Sequence, residues 1–177
     1  MPEPVRIKEI PENELTAEQA KVIKDLVAGR GRLLTPYKIW IHSPRLAAAL
    51  ETIGTFLNKK GSLSEREVEL AICIISNHWK GEYVWTVHVK TCVKLGIPQS
   101  VFDAIRAGRD PQFDNERERA VYDLATIAMA PGGGSDEVFA RAERLLGRKG
   151  IAEVLALLGY YSSVAMGVKL HRVPVPA

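Results

Sequence analysis

Four side chains in one short stretch carry the chemistry this chain could do: Glu69, Glu82, Trp85 and His88. An imidazole suits proton transfer near neutrality. A carboxylate beside it can orient the ring, or hold a proton itself if burial raises its pKa. The indole offers a flat apolar wall. Together they suit acid–base work on a small organic molecule. A metal fits less well: His78 and Glu82 stand at i, i+4, but no third ligand has suitable spacing. No metal is expected.

Helical arithmetic decides whether these groups can meet. At about 3.6 residues per turn, Glu82, Trp85, Val89 and Cys92 stack along one stripe, with His88 beside Trp85. Glu69 shares a face of the preceding helix with Cys73, Ser76 and Lys80. A hairpin folded at Trp79–Gly81 lays the two helices antiparallel and carries Glu69 toward His88 and Cys92. Glu69 is flanked by Val68, Leu70, Ala71 and Ile72, so it is a charge among core positions, costly to bury unless paired. The plainer reading makes Glu69 a solvated edge residue, as Glu65, Arg66 and Glu67 are expected to be, with His88 and Trp85 as core side chains. His42 and His171 read as structural or surface residues, although His42 could line a site. Two cysteines, Cys73 and Cys92, read as buried, inert thiols.

The elements that must position these groups are helices. Thr16-Ala17-Glu18-Gln19 is a capping box leading into 20–26, with Gly29 as the stop. Ser43-Pro44 supplies an N-cap and first-turn proline for a helix to about Asn58. Ser64-Glu65-Arg66-Glu67 is a second capping box, followed by apolar Val68, Ala71, Ile72 and Ile75. Further helices are expected at about 82–95, 99–107, 115–130, 136–146 and 150–170. Loops are expected at 29–36, 108–114 and 131–135. Gly132-Gly133-Gly134 lacks the strand and the Gly-Lys-Ser/Thr of a phosphate loop, and reads as a helix connection ending at an N-cap, Ser135. No run alternates with period two, so the expected class is all-α.

Bulk properties narrow the partners. The length of 177 residues suits one domain with a substantial core. A net charge of +3 from 24 basic and 21 acidic residues, well mixed, argues against nucleic acid. The start, Met1-Pro2-Glu3-Pro4-Val5-Arg6, lacks the apolar core of a signal peptide, and the apolar stretches break before the roughly 20 residues of a membrane span. A cytoplasmic protein without membrane contact is expected.

The motifs resemble the carboxymuconolactone decarboxylase family. Glu82-Tyr83-x-Trp85-x-x-His88 is similar to the family's Glu-Tyr-x-Trp-x-x-His pattern, and Arg66-Glu67-Val68-Glu69-Leu70-Ala71-Ile72 to its central helix. Gly29–Pro36 followed by Trp40-Ile41-His42-Ser43-Pro44-Arg45-Leu46 resembles its N-terminal lead, and Leu158–Met166 its C-terminal helix. The resemblance covers most of the chain from about residue 16 onward. It implies one all-α domain over residues 1–177, an alkylhydroperoxidase D-like helical bundle with a central hairpin and an N-terminal extension of about 1–15. It also implies a homotrimer or homohexamer. The chain departs from the alkylhydroperoxidase D-like branch, because the Cys-x-x-Cys that precedes a histidine there is missing.

The resemblance implies a decarboxylase that needs no cofactor. In 4-carboxymuconolactone the departing carboxylate is vinylogous to the lactone carbonyl, so the ring is its own electron sink. The protein must stabilise a developing oxyanion, protonate a ring carbon and anchor the other carboxylate. His88 is the expected proton-transfer group, with Glu69 or Glu82 as its partner or as the acid. Trp85 and Tyr83 are expected to contact substrate, and Arg32, Arg45 or Arg66 to bind its carboxylate through two parallel hydrogen bonds. Two rival readings are a peroxide-reducing protein using Cys73 and Cys92, and a non-catalytic oligomeric binding protein.

Overall fold

Helix starts and stops follow local caps. In the computed structural model, which describes residues 4–176, α1 (Ala17–Arg30) opens with the expected capping box, Thr16 Oγ1 accepting from Gln19 N at 3.2 Å. It runs through Gly29 and stops at Gly31, where φ of +75° needs a residue without Cβ strain. A short helix, α2 (Thr35–Trp40), begins inside the expected 29–36 loop, because Pro36 in its first turn is already set for helical φ. Ser43 precedes α3 (Pro44–Lys59) but makes no side-chain cap bond.

The second capping box opens α4 (Glu65–His78), with Ser64 N donating to Glu67 Oε2 at 2.8 Å. Then come α5 (Glu82–Lys94), α6 (Gln99–Arg106), α7 (Glu116–Met129) and α8 (Asp136–Leu170). Inside α8, Gly147 at φ +71° breaks the helical path where two separate helices were expected. Among the described residues there is no strand, and the all-α expectation holds.

The core is organised around α4, packed between α5, α7 and α8. Its Leu70, Ala71, Ile72 and Cys73 are fully buried. Leu70 and Ile72 each contribute on the order of 1.5–3 kcal/mol by leaving water. The α4–α5 turn includes Lys80 in the left-handed region and lies hard against α8: a Cβ on Gly81 would stand 3.0 Å from Ala165 Cβ. By length and composition α8 could cross a membrane, which the sequence pattern did not foresee. Half of its apolar window is buried inside the protein, as in a core helix.

The expectation that Glu67 is solvated is overturned, and Arg66, still partly exposed, is engaged in an ion pair. The starts of α4 and α7 lie side by side and exchange partners. Arg66 Nε donates to Glu118 Oε1 at 2.6 Å, and Arg117 Nε to Glu67 Oε1 at 2.6 Å. Both glutamates are almost completely buried. The bridges arise because Ser64-Glu65-Arg66-Glu67 and Asn115-Glu116-Arg117-Glu118 present the same cap-Glu-Arg-Glu order on neighbouring helices. Burial raises the Glu67 pKa, but the Arg117 guanidinium and Ser64 outweigh it and hold the carboxyl below its usual range.

Candidate functional site

One face of α5 carries Tyr83, Val84, Val87 and His88, spaced at i, i+1, i+4 and i+5. That face closes one side of a cavity of about 610 Å³. Tyr160, Tyr161 and Val164 of α8 form the facing wall, with Asn58 from α3 and the 32–38 segment around the mouth.

His88 Nδ1 lies 2.7 Å from Glu69 Oε2, across the α4–α5 hairpin. An ionised carboxylate only accepts, so Nδ1 is the protonated nitrogen in this pairing, and Nε2 remains to exchange a proton with a bound molecule. The two side chains are largely shielded, 20% and 14% exposed, so the pair is fixed in orientation while the ring still reaches the cavity. The Tyr161 ring meets the imidazole edge to face at 5.6 Å, and its hydroxyl donates to Asn58 Oδ1 at 3.0 Å. Tyr160 and Tyr37 share a hydroxyl contact of 3.2 Å, and Tyr83 and Thr35 one of 3.1 Å.

Cys73 and Cys92, each one turn further along its own helix than Glu69 and His88, face each other with sulfurs 3.7 Å apart. Both are fully buried and neither lines the cavity. Burial, then the Cys92 contact and the nearby Glu69 charge, push the Cys73 pKa well up, so it stays a thiol.

The remaining expected site residues are divided by the fold. Tyr83 and Arg32 line the cavity. Glu82 does not: Arg106 of α6 grips it through bonds of 2.9 and 2.6 Å. Trp85 turns to the same side, packed edge-on against Phe102 at 6.2 Å beneath the Arg106 guanidinium at 4.3 Å. Each residue advances about 100° round a helix, enough to turn Trp85 away from the face that holds Val84. The Arg66 guanidinium is committed to Glu118 and to the Leu95 carbonyl, and exposed Arg45 pairs with Glu18. His42 donates to the Lys8 carbonyl at 3.3 Å in a separate small cleft. Among the described residues no three His, Cys, Asp or Glu side chains cluster as metal ligands.

Sequence reasoning missed Asn58, Tyr160, Tyr161 and Lys38, which come from helices distant in the chain. One signal was available: Tyr160-Tyr161 places two hydroxyls in an otherwise apolar helix.

No family model matches this chain, and no curated protein does. Solved structures do. A peroxidase-related protein from Silicibacter sp. TM1040 superposes with a TM-score of 0.75 at 15% identity, covering 99% of this chain and 93% of that one. An alkylhydroperoxidase AhpD core protein from Ralstonia eutropha JMP134 gives 0.72 at 16% identity over 95% and 90%. The fold is that of the AhpD core. An AhpD-like fold is also shared by the debrominase Bmp8. A cysteine-to-alanine variant of it, solved with 2,3,4-tribromopyrrole, matches at a TM-score of 0.69 and 16% identity over 97% and 91%. At such identities the likeness speaks for the AhpD-like architecture, the fold that the motifs implied.

Proposed function

We propose that the protein is a cofactor-free carboxy-lyase acting on a small carboxylated lactone or related conjugated ring. The observation that carries this is the Glu69–His88 pair, 2.7 Å apart, with the imidazole presented to a cavity of about 610 Å³. Arg32 at the mouth anchors the retained carboxylate; among the described residues it is the one arginine lining the cavity. As the carbon–carboxylate bond breaks, its electron pair passes through the ring's conjugation onto the carbonyl oxygen and carbon dioxide leaves. His88 Nε2 then delivers a proton to the ring carbon, and Glu69 stabilises the charged imidazole and holds its orientation. Debromination and peroxide chemistry, named for AhpD-like proteins, place other reactions on the same architecture.

A second reading rests on the 3.7 Å sulfur contact. Cys73 and Cys92 would reduce a hydroperoxide to an alcohol and water while forming one disulfide. Their burial and the raised Cys73 pKa weigh against it, because the thiolate is the attacking species. Assembly as a homotrimer or homohexamer is part of the proposal. Ile53 and Phe56, each nearly half exposed, border an apolar groove of about 530 Å³ between α3 and α8. Unpaired thiols suit a cytoplasmic protein.

Mixing the protein with 4-carboxymuconolactone and following both ultraviolet absorbance and carbon dioxide release tests the lyase. His88→Ala should lower kcat by roughly 10²–10⁴-fold in a folded protein. Turnover unchanged in that variant overturns the assignment. Turnover of hydroperoxide that vanishes on replacing both cysteines establishes the second reading.

A further inference from the structure

We infer that the cavity is built for a fused-ring, oxygenated aromatic carboxylate, larger than a single lactone ring; this rests on the reading of the Glu69–His88 cavity as the substrate site. Size is the first argument. At about 30 Å³ for each water-sized atom, 610 Å³ holds on the order of 20 heavy atoms, and bonded atoms pack more closely than waters. A single lactone ring with two carboxylates has only about a dozen, which leaves a substantial part of such a cavity unfilled.

The walls are the second argument. Four tyrosines, Tyr37, Tyr83, Tyr160 and Tyr161, line one cavity, and three of its hydroxyl contacts tie them down: Tyr37 with Tyr160, Tyr83 with Thr35, and Tyr161 with Asn58. The rings are therefore held in fixed orientations before any ligand arrives. Rigid aromatic faces and edges complement flat rings. Their hydroxyls, with His88, set polar contacts at intervals along the wall, which suit ring oxygens rather than an unbroken aliphatic chain.

Charge gives the direction of binding. At the mouth, Lys38 is held by Glu9 at 2.5 Å, whereas among the described residues no carboxylate lies within ion-pair reach of Arg32. The carboxylate thus docks at Arg32 and the fused rings extend past the tyrosines toward His88.

Calorimetric binding of anthraquinone-2-carboxylate, benzoate and laurate tests this, using wild type, Arg32→Gln and the non-turnover variant His88→Gln. The expected result is that anthraquinone-2-carboxylate binds at least about tenfold tighter than either other acid and loses about tenfold in Arg32→Gln. Equal or tighter binding of benzoate or laurate overturns the inference, as does unchanged affinity in Arg32→Gln with circular dichroism like wild type. The order of affinities is read in His88→Gln as well, so it does not depend on catalysis. If 4-carboxymuconolactone releases no carbon dioxide while the order holds, the lyase reading fails and the inference stands. If 4-carboxymuconolactone turns over while benzoate binds best, the reverse is true.

Discussion

Replacing Gly54 with alanine should destabilise the protein, against the ordinary trend for a glycine inside a helix. In α3 the substitution alone is worth about 1 kcal/mol of added stability, since alanine orders at lower entropic cost. A Cβ at this position, however, would stand 2.5 Å from the Tyr160 hydroxyl oxygen, 2.9 Å from its Cζ and 3.4 Å from Cε2. The phenol must retreat by roughly 1 Å to reach ordinary contact, which costs about 1–3 kcal/mol as overpacking. It also strains the 3.2 Å contact with Tyr37, worth about another 1 kcal/mol. The net expectation is a loss of about 1–3 kcal/mol, read as a Tm lower by roughly 2–4 °C for each kcal/mol. Thermal melts followed by circular dichroism measure it. Gly159→Ala, where a Cβ meets nothing within 4 Å, is the control and should be stabilising. Adding Tyr160→Phe to Gly54→Ala should recover part of the loss, because the oxygen is removed but Cζ stays. A Tm at or above wild type for Gly54→Ala would refute the reasoning, since Tyr160 could not then be seated against α3.

Glu69→Gln keeps the shape beside His88 but removes the charge that stabilises a protonated imidazole, so decarboxylation should fall by about 10²-fold in kcat with KM little changed; steady-state carbon dioxide release measures both. Replacing Cys73 and Cys92 with alanine should leave that turnover intact and cost about 1–2 kcal/mol of stability from lost packing, measured by urea denaturation. Glu67, whose folded pKa is lowered, contributes stability that is present above its unfolded pKa and lost as pH falls through the folded value. Acid titration of Glu67→Gln should therefore start from lower stability and show a flatter acid limb. An unchanged limb would contradict the pairing with Arg117.

The meeting of Glu69 with His88 was legible because both sit on one hairpin, where residue spacing and a single turn determine what faces what. The thiol contact does not follow from the same arithmetic: in an antiparallel hairpin the residue one turn after Glu69 faces one a turn before His88, so Cys73 and Cys92 are brought to 3.7 Å by how the two helices cross. Glu82 and Trp85 were harder to place. Their stripe is genuine, but Arg106, which captures both, arrives from α6 and leaves no trace in the local pattern. Arg66 looked like an anchor for substrate for a similar reason: an arginine engaged by Glu118 looks no different in sequence from one facing a cleft. The opposite wall was illegible because it is assembled from α3 and α8, whose register against α5 is set by packing such as Gly81 beneath Ala165. Helix punctuation misled where glycine or proline had two roles, at Gly29 and Pro36, and at Ser43, which precedes α3 without capping it.

The exchanged arginine–glutamate bridges between α4 and α7 act as an angular lock. Turning α4 by one residue about its own axis swings every side chain through about 100°, and both bridges would have to break together for that to happen. Glu69 lies one turn or less beyond Arg66 and Glu67, so its bearing toward His88 is fixed by bonds made outside the cavity. A variant that loosens the lock would thus blur the aim of the carboxylate without altering any residue in the cavity.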